Sequence, residues 1–301
     1  MPQDFADFFK LLFSTVILRP YVFIFLAIYL VAAFLHLGWR RTVLFTVVGY
    51  LIAWTAEFSS IHNGIPFGLY NYISEPTIDK ELWVFGVPFM DSLSFVFLAY
   101  ASYSVALLAS TPIAVRERGV YLAETHRIRR SWRVWILTAV FFAFIDVVID
   151  PVAYHGDRWF LGKIYSYPEP GIYFHIPLTN FLGWFVVGIL ILKIFHLAER
   201  GLQAAGLMPV LSPRYISWRV YLAPLLYLGV LVFNLGVTFW LGGHSEGEER
   251  QEFLLMGIVG TFIFIPVLVL LIAGLFDPSR RATPHDIEEH IQDFPDSSLS
   301  H

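Results

Sequence analysis

Polar positions fall at long intervals along this chain. Between them lie apolar runs of the length a bilayer requires, about 20 residues for a spanning helix. The runs cover roughly residues 21–37, 42–61, 82–110, 134–153, 176–197, 220–241 and 253–276. They predict an all-α fold, a polytopic transmembrane helical bundle of about seven spans. The first run is short and ends near His36. Ahead of it, residues 5–18 are apolar but carry Lys10, and Pro20 separates them from the first span. That segment is expected to be an interfacial helix; a re-entrant or spanning course would make eight membrane segments. It lacks the basic start and small-residue cleavage site of a signal peptide. Residues 1–276 are thus expected to form a single transmembrane domain. The polar tail, 277–301, contains Pro284 and Pro295 and is expected to be cytosolic and disordered. No internal repeat is visible.

Composition sharpens this picture. Hydrophobic residues make up 57% of the chain and charged ones only 15%, too few to cover a soluble protein of 301 residues. Lysine and arginine are unevenly placed. With the N-terminus outside, fourteen fall inside: Arg40 and Arg41; Arg116, Arg118, Arg127, Arg129, Arg130 and Arg133; Lys193, Arg200, Arg214 and Arg219; Arg280 and Arg281. Six fall outside: Lys10, Arg19, Lys80, Arg158, Lys163 and Arg250. Positive charge collects on the cytoplasmic side of membrane proteins. The chain is therefore expected in the cytoplasmic (inner) membrane, N-terminus outside and C-terminus cytosolic. The arginine-rich stretch 116–133 fits a cytosolic anchor better than a nucleic-acid patch, so no nucleic-acid partner is expected. The absence of cysteine excludes disulfides, thiolate metal sites and cysteine nucleophiles.

Acidic groups inside spans are costly, and each is a functional candidate by default. Glu57, Asp91, Asp146 and Asp150 are four such groups, all toward the outer ends of spans two, three and four. Asp146 and Asp150 sit one turn apart on one helical face. Asn180 enters at the outer start of span five, so five polar groups from four spans converge at one depth. The connecting loops are aromatic. Residues 64–72 read as a Gly/Pro-shaped turn displaying Pro66, Phe67, Tyr70 and Tyr72. Trp159, Tyr165, Tyr167, Tyr173 and Phe174 crowd the next outer loop. Singly these aromatics suit an interfacial belt; as a set flanking carboxylates they suit the mouth of an apolar pocket. Two acids also have local readings. Asp150 precedes Pro151, which frees a backbone carbonyl, and Asp91 would N-cap a span starting later than drawn. Glu57 and Asp146 have no such duty and are the stronger candidates for chemistry.

A desolvated carboxyl group beside another carboxylate stays neutral and can donate a proton near neutral pH. A second, ionised carboxylate can stabilise a cation or deprotonate water, and aromatic faces add to the stabilisation. This equipment suits protonation of an alkene followed by capture of the carbocation. Metal is the competing explanation, because His62, His155 and His175 fall at the same end. No His-x-x-His or His-x-x-x-His pair lies on a helix, however, and no Glu-x-x-His falls within a span. No metal or other cofactor is therefore expected. Serine-hydrolase and phosphate-loop motifs are absent. The span at 253–276 contains no lysine for a retinal Schiff base.

Four blocks carry a family resemblance. They are Glu57 followed by Gly64-Ile65-Pro66-Phe67-Gly68-Leu69-Tyr70-Asn71-Tyr72; Gly86-Val87-Pro88 leading to Ala99-Tyr100; Asp146-Val147-Val148-Ile149-Asp150-Pro151-Val152-Ala153, then Trp159; and residues 173–185, containing Tyr173, His175, Asn180 and Trp184. Through these, over roughly residues 50–190, the chain resembles the membrane-integral carotenoid biosynthesis family. That family includes carotenoid 1,2-hydratases of the bisanhydrobacterioruberin hydratase and gamma-carotene 1'-hydroxylase type. Phe95 and His175 depart from it, standing where the family often carries Trp and Gly. Asp91 is not a family hallmark and ranks below the other acids. The resemblance implies hydration of the terminal C1=C2 double bond of an acyclic carotenoid, such as lycopene or a bacterioruberin precursor, to a tertiary alcohol. The chemical reading agrees, and no redox cofactor is needed. Glu57, Asp146 and Asp150 are then the expected catalytic groups. Asn180, Pro66, Phe67, Tyr70, Tyr72, Asp91, Trp159, Tyr173 and Trp184 are expected to bind substrate. Membrane lipid and other carotenoid-pathway enzymes are the expected partners.

Two alternatives stand beside this reading. A lycopene-type cyclase begins with the same protonation but lets a neighbouring double bond capture the cation; Ser59, Ser60, His62 and Asn180 favour water. A non-catalytic carotenoid or lipid carrier or transporter would not need several ionisable groups in its pocket. A transporter would also show inverted repeats and polar residues at mid-membrane.

Overall fold

The computed structural model describes residues 4–116, 119–211, 219–297 and 299. Arg118 and Arg214 of the charge count lie outside the described residues. In chain order the helices are α1 (Phe5–Leu18), α2 (Pro20–Asn63), α3 (Phe89–Ser110), the single turn α4 (His126–Arg129), α5 (Trp132–Tyr154), α6 (Leu178–Ala204), α7 (Arg219–His244), α8 (Gly247–Phe276) and α9 (Pro284–Asp293). Among the described residues six helices are long and apolar enough to cross a membrane: α2, α3, α5, α6, α7 and α8.

The first two expected spans form one 44-residue helix, α2, with a break inside it. Gly38 has φ 73° and ψ 165°, values no residue within a helix adopts and which glycine tolerates for lack of a Cβ. The break reverses the chain. The Tyr29 hydroxyl lies 2.8 Å from Thr46 Oγ1, seventeen residues away, whereas a straight helix would separate the two by about 26 Å. The two arms of α2 therefore lie against each other, and six helices present seven apolar arms. Helix α1, with 14 residues, is about 21 Å long, too short to cross about 30 Å of hydrocarbon. It exposes Phe5, Phe9 and Phe13 along one face while burying Leu11 and Thr15, the division of an interfacial helix. Arg19, after it, is buried and ion-paired with Glu81, and Leu82 N–H donates to Thr15 Oγ1 at 2.8 Å.

Helix α3 is the centre of the bundle and packs against α2, α5 and α7. It is buried nearly all round, as a helix apolar on every face must be, and its alanines and serines let neighbours approach closely. The span expected from residue 82 begins only at Phe89. Strands β2 (Trp83–Val84) and β3 (Val87–Pro88) come first, as a hairpin turning through Phe85 and Gly86, both at positive φ. Two further short pairings organise the loops. Before that hairpin, β1 (Asn71–Tyr72) pairs antiparallel with β6 (Tyr165–Ser166), which follows α5. On the opposite end β4 (Ile113–Arg116) pairs with β5 (Gly119–Leu122).

The tail does not match its expected disorder. Thr283 and Asp286 form a reciprocal capping box with Pro284 at the first helical position, so α9 starts with a strong local signal. Arg280 donates to the carbonyls of Leu108 and Thr111, and His290 and Phe294 are fully buried. The described tail is held against the end of the bundle.

Candidate functional site

At one end of the bundle the C-terminal arm of α2, the start of α3, the last turns of α5 and the start of α6 meet. They carry Glu57, Asp91, Asp146 with Asp150, and Asn180 respectively. The acids form two linked pairs. The Tyr72 hydroxyl lies 2.8 Å from Glu57 Oε1 and 2.7 Å from Asp91 Oδ2. Ser92 donates to the other oxygen of Glu57, and Tyr70 donates to the Tyr72 oxygen at 3.4 Å. In the second pair Asn180 donates one N–H to Asp146 Oδ2 at 2.7 Å and the other to Asp150 Oδ2 at 2.6 Å. Burial, then the neighbouring Asp91 and Glu57, push the Tyr72 phenol well above its usual range. Burial and Asp150 do the same to Tyr165. Both phenols therefore remain hydrogen-bond donors.

Loop geometry delivers these tyrosines. The β1–β6 pairing sets Tyr72 opposite Tyr165, and Ile73 N–H donates to Ile164 at 2.8 Å. The preceding turn, 64–70, presses on α6 at Gly183, where a Cβ would meet Phe67 Cδ1 at 2.5 Å and the Pro66 carbonyl at 2.8 Å. Only glycine permits that approach, and it places Phe67 beside Trp184.

These groups line a cavity of about 90 Å³, with Glu57, Asp91, Asp150 and Asn180 as its polar wall. Trp184 stacks on Phe95 with centroids 4.1 Å apart and closes one side; Tyr165 and Tyr167 close another. A second cavity of about 90 Å³ shares Asp91, Leu98, Ile149 and Ala153 with the first. It continues between α2, α3, α5 and α7 to Phe25, Trp159 and Phe233. The result is an apolar chamber headed by four oxygen-rich side chains.

Several expected site residues are elsewhere. Asp146 is fully buried behind Asn180 and does not line the cavity; its Oδ1 makes no hydrogen bond. Tyr173 donates to the Val147 carbonyl at 3.3 Å. That carbonyl belongs to the residue four before Pro151, the one a proline leaves without its helical donor, so Tyr173 serves the backbone of α5. Pro66 lies in the turn and borders an outer groove between α2 and α6. Ser60 accepts from Phe67 N–H at 3.0 Å, while Ser59 and His62 bond locally on α2. Asp91 is not an N-cap: that position is Pro88, and the Asp91 carboxylate faces the cavity. Ser92, Ser94 and Leu98 were missed, because only the pitch of α3 shows which of its many small and apolar positions face the acids.

The opposite end holds most of the buried arginines. Arg41, Arg129 and Arg219 are buried rather than spread over an exposed anchor. Arg41 donates to Glu199 at 2.5 Å, Arg130 to the same carboxylate at 3.3 Å, and Arg129 to Tyr103 at 3.2 Å. Burial would raise the Glu124 carboxyl, but His36, Arg219 and Arg129 outweigh it and hold the group well below its usual range.

Compared with known proteins, the chain matches a family model described as carotenoid biosynthesis protein over residues 18–243. No curated protein and no solved structure matches it.

Proposed function

The chain belongs to the carotenoid biosynthesis protein family, and from that premise we propose that the chamber hydrates the terminal C1=C2 double bond of an acyclic carotenoid. The observation that carries this reading is the Tyr72 hydroxyl between two carboxyl oxygens. The phenol has one hydrogen, so it can donate to only one of them. The other contact is satisfied when that carboxyl group is itself protonated and donates to the phenol oxygen, which keeps a transferable proton at the chamber head. In the reaction a carboxylic O–H of the Glu57–Asp91 pair adds its proton to C2, leaving a tertiary cation at C1. Trp184, Phe95, Tyr165 and Tyr167 offer π faces to that cation. Water bonds to C1 and gives up a proton to Asp150, held in place by Asn180. Proton transfer back restores the first pair. The sum is alkene plus water giving a tertiary alcohol, with no change of redox state.

Glu57, Asp91 and Asp150 are thus assigned as catalytic, and Asp146 as a positioning group acting through Asn180. Phe67, Tyr70 and Trp184 would enclose the end group, and Trp159 the polyene beyond it. The substrate is bilayer-soluble, and an apolar chamber between helices can receive it from lipid. The arginine-rich opposite end supports an orientation in the cytoplasmic membrane with the acids near the outer face and the C-terminus cytosolic.

The test is expression in lycopene-accumulating cells, with pigments analysed by mass spectrometry. A product heavier by one water is expected. A product of unchanged mass but shifted absorption would transfer the assignment to cyclisation, and unaltered pigment in several acyclic backgrounds would remove both.

A further inference from the structure

Outside the chamber, three side chains from separate segments converge on one point. His155 follows the last residue of α5, His175 lies in the loop before α6, and Glu252 is in the second turn of α8. One ligating atom from each lies within 4.8 Å of the other two, and all three residues are partly buried. The Glu252 carboxylate is 3.2 Å from His175 Nε2 and 3.8 Å from His155 Nε2. Nε2 of His155 is shielded from solvent yet makes no hydrogen bond, an expensive condition for a polar atom unless something binds there.

The geometry points to a binding site for a divalent transition-metal ion of the zinc type, held by His155, His175 and Glu252. Two imidazoles and one carboxylate are a donor set that zinc favours, with metal–ligand distances of about 2.0–2.2 Å. Ligand atoms around a tetrahedral ion are then roughly 3.3 Å apart. The His175–Glu252 separation already matches, and the His155–Glu252 separation, 3.8 Å, is about 0.5 Å longer. The fourth position is left to water. The backbone also aims His175 at this point: Phe174 and His175 both have left-handed φ, 46° and 69°. Neither is glycine, so the loop holds strain. The Gly171–His175 and Tyr173–Ile176 bridges fix it in that form.

Such an ion would join the end of α5 to the start of α8 across the loop. Tyr154, adjacent to His155, stacks on both His175 and Tyr167, with centroids 5.5 and 6.4 Å apart. Tyr167 is a wall of the acid chamber. The ion would therefore brace the chamber from outside without touching the reacting atoms.

The experiment uses full-length protein carrying a non-histidine affinity tag, stripped with a chelator, equilibrated with Zn2+ and desalted. Metal content is then read by elemental mass spectrometry and Tm by thermal unfolding in detergent. The wild type should retain about one ion per chain and gain several degrees in Tm. Glu252→Gln preserves volume, and His175→Gly relieves the left-handed backbone, so both should fold. Each should bind at least about tenfold more weakly and lose the Tm gain. His285→Ala, in the tail, should bind like the wild type. Retention well below one ion by the wild type, or wild-type binding by both variants, would overturn the proposal. Neither readout depends on turnover, so its failure would leave the hydration reading untouched.

Discussion

Tyr72 controls more of the site than any single acid does, since its one hydrogen is contested by Glu57 and Asp91. Tyr72→Phe leaves the volume intact and removes the contested proton. It should lower the initial rate of alcohol formation roughly ten- to hundredfold, with protein in the membrane unchanged on immunoblots. Tyr173→Phe removes an equally placed hydroxyl that serves only the Val147 carbonyl. It should cost about 1 kcal/mol of stability and leave the rate within about twofold. The acids on α5 divide in the same way. Asp150→Asn should lose about a hundredfold in turnover and Asp146→Asn about tenfold, because only Asp150 lines the cavity; equal losses would return Asp146 to direct contact. The sequence made the acids visible as charges stranded in apolar runs. It did not rank them, because which of two carboxylates one turn apart meets a cavity depends on helix rotation. The placement of Asp91 at the cavity was not legible for a related reason: its partner arrives from a two-residue strand 19 residues earlier.

Helices of this length announce themselves through hydropathy, and five of the seven expected apolar runs became single helices with shifted ends. The joining of the other two at Gly38 was not legible, because a glycine between apolar runs fits a loop as well as a sharp reversal. Gly183 falls inside the 173–185 block with nothing in the sequence to single it out, yet it sets how closely the 64–70 turn approaches α6. Gly183→Ala puts a methyl within 2.5–2.8 Å of Phe67 and the Pro66 carbonyl. It should destabilise by roughly 1–3 kcal/mol and depress turnover further than the lost protein explains. The tail misled for the opposite reason, since its polar composition and prolines suit disorder while its anchors are single buried residues. Burial holds His290 below its usual range, although the Glu124 carbonyl it contacts and the nearby Glu124 and Asp293 charges oppose that shift. A histidine lowered in the folded state stabilises docking above its unfolded value, about 6.5, and loses that contribution as pH falls. Limited proteolysis near α9 should therefore accelerate from pH 7.5 to 5.5, and a His290→Phe variant should show less of that pH dependence.

Across the whole molecule the two polar ends differ in kind: acids and tyrosines around a chamber at one, and buried arginines paired with Glu199 and Glu124 at the other. Between them α8 presents Leu255, Ile258, Phe262, Ile265, Val269 and Ile272 as one exposed apolar stripe, spaced three and four residues apart. Such a stripe fits a lipid-facing surface, and on that reading the bundle axis runs across the membrane with the two ends facing opposite sides. On the proposed orientation, drawn from the positive-inside asymmetry, the acid end faces outside and the outer leaflet would supply the substrate. The absence of native cysteine allows a direct test, since any introduced thiol is the only one present. Glu169 and Arg127 are exposed at the acid and arginine ends respectively. In spheroplasts, Glu169→Cys should react with a membrane-impermeant maleimide, and Arg127→Cys should react only after permeabilisation. The reverse pattern would invert the orientation and move the chemistry to the cytosolic leaflet while leaving the chamber itself unaltered. Labelling of both in sealed cells would mean that the two ends share a compartment, and a transmembrane axis for this bundle would have to be abandoned.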